Sequence, residues 1–211
     1  MKLLFQVKQK QGVSSKIIWQ VLHLKDLLEK LGIHIFISSL GNIDLGDFDL
    51  VHIFDCTGIY DSYTFYKNAA SQKKRIVLTP FFIDMHEHYG NNPVKLAEWR
   101  VGNLLRRELM QGSHMLLLHS QKEWDAIQNI LYVTTPAKVV FHDWGGPEQE
   151  PVIAQNILDA YQQVLDSSVS PKVNSKFFYT QQYQLPGVSG SQKSEVGSQI
   201  LDTGRNEITG Y

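Results

Sequence analysis

Two short apolar runs, LVHIF ending at Asp55 and RIVLT ending at Pro80, flank a segment whose aromatic residues are spaced as in a helix. No other feature constrains the fold as tightly. Leu50–Phe54 and Arg75–Thr79 read as strands buried on both faces, each stopped by a turn former, Gly58 or Pro80. Between them Tyr60, Tyr63, Phe65, Tyr66 and Ala69 recur at roughly helical spacing. Strands joined through a helix need a crossover, so the pair is expected to be parallel. In parallel α/β sheets, ligands sit outside the carboxyl ends of the strands. Those ends are Asp55-Cys56-Thr57 and Pro80 to His88, the most chemically loaded positions in the chain.

The rest of the chain repeats the alternation. Lys2–Val7 reads as a first strand, followed by the polar loop KQKQGVSS, in which Ser14 or Ser15 is placed to cap a helix. Over Lys16–Leu31, Ile17, Val21, Leu24, Leu28 and Leu31 share one face, and Gly32 stops the helix. Ile33–Ser38 is a second strand, and Gly41–Phe48 a turn-rich link. A loop is expected over His86–Asn92. Pro93 then suits the first turn of a helix through about Gln111, with Leu96, Trp99, Leu104, Leu105 and Leu109 on its apolar side.

Met115–Leu118 reads as a strand. Ser120 with Glu123 makes a capping box for the helix QKEWDAIQNI, and Lys138–Phe141 is the last strand. Pro151 opens a final helix to about Leu165. Alternating strands and helices imply a doubly wound, Rossmann-like α/β domain over 1–146, with right-handed crossovers. Residues 147–166 are expected to form a closing helix packed back on that domain. The Ser-, Gln- and Gly-rich stretch 167–211 reads as linker and largely disordered tail, with FFY at 177–179 able to dock locally.

Composition narrows the function classes. A net charge of -1 gives no electrostatic reason to bind nucleic acid or anionic lipid. The single cysteine, Cys56, excludes an internal disulfide and suits a reducing, cytoplasmic setting. No apolar run approaches the ~20 residues needed to span a bilayer. The first strand is not followed by GxGxxG, which argues against a dinucleotide ligand.

Four stretches, taken in order, carry a family resemblance: the Gly12 loop opening a long helix; DLVHIFD; KRIVLTPFFIDMHEHY; and HMLLLHSQKEWDAI followed by KVVFHDWGG. Together they resemble the N-terminal, acceptor-side domain of GT-B glycosyltransferases of the glycogen-synthase and sucrose-synthase type. FFID matches the family's aromatic turn at Asp84, and Ser120 and Glu123 match its Ser/Glu pair. His142-Asp143-Trp144-Gly145 occupies the place of the family's Asn-Gly segment.

The resemblance covers about residues 1–146 and implies one half of an enzyme that moves a sugar from a nucleotide sugar to an acceptor hydroxyl. It implies no tightly bound cofactor or metal. The family's donor-binding domain, with its Arg/Lys pair and Glu-rich motif, has no counterpart between Gly146 and Pro151. The implied partners are therefore an acceptor saccharide or other hydroxyl compound and a donor-domain protein. A scaffold that dimerises through the face left by the missing domain is the alternative.

On that resemblance the carboxyl-end residues acquire roles. His86 is the candidate base for the acceptor proton, with Asp84 beside it, because a base working near neutrality suits histidine. His88 is a substrate contact. If the segment is extended, alternation in His-Glu-His also puts two imidazoles on one side as a metal pair; a solvated polar loop is the plain reading. Gly12 and Ser14 either present backbone N–H groups to a phosphate or acceptor hydroxyl, or merely form a capped loop.

Asp55 and Thr57 either bind an acceptor hydroxyl or cap the following helix. Asp55 as a phosphoacceptor fails, because Gln9 and Gln11 replace the required acidic pair and His119-Ser120 the required lysine. Ser120 joins the substrate-binding set. Trp144 either stacks on a sugar ring or anchors packing. His23, His34, His52 and His114 read as structural, and Cys56 as a small buried apolar group.

Overall fold

The computed structural model describes residues 1–8, 15–141 and 148–168, all within the compact unit Met1–Ser175. The expected residues Gly12, Ser14 and Trp144, and the tail from 169 onward, lie outside the described residues.

The chain forms six strands, β1 (Lys2–Gln6), β2 (His34–Ser38), β3 (Leu50–Phe54), β4 (Arg75–Thr79), β5 (Met115–Leu118) and β6 (Ala137–Val139). They make one all-parallel sheet in the order β2-β1-β3-β4-β5-β6. The fold is Rossmann-like α/β, as the alternation implies. The order reverses between β1 and β3, so the switch-point crevice opens beyond those two strand ends.

Helices α1 (Ser15–Lys30) and α6 (Glu150–Asp166) cover one face of the sheet. The other face is covered by α2 (Ile59–Ser71), α4 (Pro93–Gln111) and α5 (Gln121–Leu131). Side-chain alternation divides each strand between two cores. Leu3, Phe5, Leu50, Phe54, Val77, Met115 and Leu117 pack towards α1 and α6, whereas Leu4, Val51, Ile53, Ile76, Leu78, Leu116 and Leu118 pack towards α2, α4 and α5. The link from β2 to β3 has no helix; Leu45 and Phe48 fold into the second core and bury its apolar side chains.

Several expectations are corrected. Leu31 is 44% exposed, because α1 ends at Lys30 and Leu31 leaves the helical register. Tyr60 is exposed because the buried stripe of α2 runs through Ile59, Ser62, Phe65, Tyr66 and Ala69. Leu104 is likewise exposed, since α4 turns Trp99, Gly102, Arg106, Leu109 and Met110 inward. The segment read as a loop at His86 forms a one-turn helix, α3 (His86–Tyr89). The last strand is Ala137–Val139; Val140 and Phe141 extend beyond it into the core.

Candidate functional site

At the end of β3, Asp55 adopts the left-handed region, φ 72, although it is not glycine. Its carboxylate accepts the Thr57 backbone N–H (2.7 Å) at Oδ1 and the Thr57 hydroxyl (2.9 Å) at Oδ2. Its backbone carbonyl accepts from the Ser62 hydroxyl. The buried Asp55 thus builds the turn into α2. The helix itself starts at Gly58 without a side-chain cap.

Arg106 secures the same turn from α4. The buried guanidinium donates to the carbonyls of Cys56 (Nε, 2.9 Å) and Thr57 (Nη2, 3.2 Å) and to Asn103 Oδ1 (3.0 Å). Gly102 leaves the room it needs, since a Cβ there would sit 2.8 Å from Arg106 Nη1. Across the switch point, Lys8 beyond β1 forms an ion pair with Asp61 in the first turn of α2. Cys56 lies under this turn with no exposed surface, and burial pushes its thiol well above the ordinary range despite the nearby Arg106 cation.

Beyond β4 the chain turns through Pro80 and Phe81, a second non-glycine residue in the left-handed region, φ 51. Backbone conformations of this kind concentrate at functional sites when the surrounding structure enforces them. Asp84 is exposed and accepts the His86 backbone N–H (2.9 Å), fixing the start of α3. His86 and His88 are also exposed. Because α3 is helical, alternation no longer places the two imidazoles on one side, and the paired-imidazole metal arrangement is lost. The His86 ring stands edge-on to Trp99, 6.4 Å between centroids. Helix α4 therefore links the two groups of expected residues, touching His86 through Trp99 and the Cys56-Thr57 turn through Arg106.

Beyond β5, the Ser120 hydroxyl accepts the Glu123 backbone N–H (3.1 Å), the expected N-cap. The reciprocal half of the expected capping box differs. Glu123 is buried and reaches one residue further back, its Oε2 accepting from the His119 N–H (2.8 Å), while Oε1 accepts from the Phe82 N–H (2.8 Å). One carboxylate on α5 thereby ties the loops after β4 and β5 together. Gln20 of α1 reaches the His119 ring from the opposite face, with 3.0 Å between the two Nε2 atoms.

No protein-family model and no curated protein matches the chain. Among the described residues, no three His, Cys, Asp or Glu side chains gather closely enough to hold a metal ion. None of the helices among those residues is long and apolar enough to cross a membrane.

The carboxyl edge thus collects Asp55, Thr57, Asp84, His86, His88 and Ser120 at three successive strand ends, as the sequence places them. It also collects Gln20 and Arg106, which the sequence reading passed over, with His119 and Glu123, to which it gave no place in the site. Arg106 leaves a trace in the sequence. It falls on the Trp99–Gly102–Leu109 stripe of α4, where a charge on an apolar face signals a buried polar contact. Gln20 and His119 leave none, because they meet across 99 positions.

Proposed function

We propose that this chain is the acceptor-binding half of a GT-B type glycosyltransferase, acting in the cytoplasm with a donor-binding half to move a sugar from a nucleotide sugar to an acceptor hydroxyl. One observation carries the reading. The described stretches that give the chain its family resemblance deliver Asp55-Thr57, Asp84 to His88, and His119-Ser120 to a single edge of a parallel sheet, where ligands of such folds bind. In this reading Asp84 and His86 face the acceptor, His86 takes its proton, and Asp55, Thr57, His88 and Ser120 stand along the same edge. The donor sugar nucleotide is a substrate held by the other half.

The purified chain alone is expected to give a blank in a nucleotide-sugar hydrolysis assay. Activity is expected on reconstitution with a donor-binding protein recovered by co-purification. In that pair, His86→Ala and Asp84→Ala should each lower turnover by about 10²–10⁴-fold, the usual contribution of proton transfer. Unchanged turnover would remove both residues from the site.

A non-catalytic scaffold is the second reading. It is favoured by a mainly apolar groove lined by Tyr60, Pro93, Val94, Ala97, Glu98 and Val101, in which Tyr60, Val94 and Val101 are each more than half exposed. A monomer in sedimentation velocity at high concentration would count against self-association through that groove.

A further inference from the structure

Strand β2 ends one side of the sheet, and no strand lies beyond it among the described residues. The His34 N–H donates to the Met1 carbonyl and the Val7 N–H to the Ser38 carbonyl, so His34, Phe36 and Ser38 turn their backbone groups towards β1. Ile35 and Ile37 alternate with them and turn N–H and C=O outward. A row of unpaired backbone groups is a template for another strand, and proteins blunt it with lysine, proline, a bulge or a very short strand. The opposite edge is blunted in this way, since β6 has three residues with Lys138 in the middle. β2 is different. It has five residues, HIFIS, without lysine or proline, and its register with β1 runs unbroken from His34 to Ser38.

Exposed apolar side chains crowd the same border. Phe36 is 51% exposed, with its ring edge-on to Phe48; Leu31, just before the strand, is 44% exposed and Leu40, just after it, 61%. The charge beside them is neutralised within the chain. The Lys2 ammonium lies 5.2 Å from the centre of the Phe36 ring and 3.3 Å from the Asp47 carboxylate.

A second copy, antiparallel and centred on Phe36, satisfies the whole border. Ile35 exchanges both its hydrogen bonds with the partner's Ile37, and Ile37 with the partner's Ile35. Phe36 falls opposite the partner's Phe36 in the closer, non-hydrogen-bonded kind of pair, where aromatic side chains attract. His34, the only ionisable residue of the strand, falls opposite the partner's Ser38, so no like charges meet. The start of one strand lies beside the end of the other, which brings Leu31 towards the partner's Leu40 at both ends. A two-fold interface requires this self-complementarity, and an unrelated peptide would match only part of it.

We propose that the β2 edge is a homodimer interface, in which the β2 strands of two copies pair antiparallel about Phe36 and join two six-stranded sheets into one. The inference is independent of the acceptor reading and uses no residue of the groove on α2 and α4. Pairing through one short strand is at the low end of interface sizes, so the dimer should form between about 1 μM and 1 mM.

Sedimentation velocity of the full chain across that range should show a concentration-dependent dimer. Hydrogen exchange at the Ile35 and Ile37 amides should slow by about ten-fold or more from dilute to concentrated protein, because the outward N–H groups acquire acceptors. Phe36→Lys sets two cations opposite each other and should weaken the dimer by about ten-fold or more. Leu40→Lys, at a more exposed position, should weaken it in the same direction, and Val101→Asp in the groove should leave it unchanged. A monomer at every concentration overturns the proposal, as does a dimer that forms without slowing exchange at Ile35 and Ile37. A dimer lost in Val101→Asp and kept in Phe36→Lys and Leu40→Lys overturns it in favour of the groove. A monomer with both amides protected even when dilute overturns it by showing the edge covered within the chain.

Discussion

Replacing His52 with glutamine should remove a specific part of the acid sensitivity of the fold. His52 sits in the middle of β3 with no exposed surface; its Nδ1 lies 2.7 Å from the Tyr161 hydroxyl of α6 and its Nε2 2.8 Å from the Thr79 hydroxyl of β4. Burial drives its pKa well below 6.5 and that of Tyr161 well above 10, so both stay neutral in the folded protein. In the unfolded chain His52 takes a proton near pH 6.5. Below that pH the unfolded state binds more protons than the folded state, so stability falls as pH falls.

The His52 contribution is therefore fully present above pH 6.5 and is progressively lost below it. For one histidine that is about 1.2 kcal/mol between pH 6 and pH 5, approaching about 1.4 kcal/mol per pH unit lower down. His114 acts in the same direction between pH 6.5 and its folded value of about 4, set by burial and by the Arg75 cation. Its partial exposure makes its share smaller. Urea melts of wild type and His52→Gln at pH 7, 6 and 5 isolate the His52 share, because other titrations cancel in the difference. At pH 7 the variant should be less stable by about 1–3 kcal/mol, from imperfect pairing of the Tyr161 and Thr79 hydroxyls. That deficit should shrink by about 1.2 kcal/mol on going from pH 6 to pH 5. A deficit constant across pH 7 to 5 would refute the reasoning, because His52 would then not be held neutral by the fold.

Two further outcomes follow from burial and close packing. Gly112→Ala puts a Cβ 2.2 Å from the Tyr66 hydroxyl and 2.5 Å from its ring, so it should cost about 1–3 kcal/mol in urea melts even though the Gly112 backbone suits any residue. Cys56 is fully buried with its thiol pushed up, so iodoacetamide at pH 8 should label it only at the rate of opening, and labelling should become fast in unfolding concentrations of urea.

Much of the fold is legible in the sequence because it is local. The runs LVHIF, RIVLT and MLLL became strands at the expected residues, and Pro93 and Ser120 started helices where their chemistry places them. A helix between two strands obliges them to be parallel, which fixes a carboxyl edge holding Asp55, Asp84 and Ser120 before any coordinates exist.

What local pattern does not contain is which side chains meet across the sheet. The register of His52 with Tyr161, 109 positions apart, and of Gln20 with His119, 99 apart, depends on the strand order and on which face each helix covers. The helical turn at His86 that undid the alternation of two histidines is held by the His86 N–H on the Asp84 carboxylate and the Tyr89 N–H on the Met85 carbonyl, with no periodic signal around it. Buried polar contacts such as Glu123 on the Phe82 and His119 backbone were decided by tertiary packing alone, since an unpaired carboxylate there would be too costly to bury.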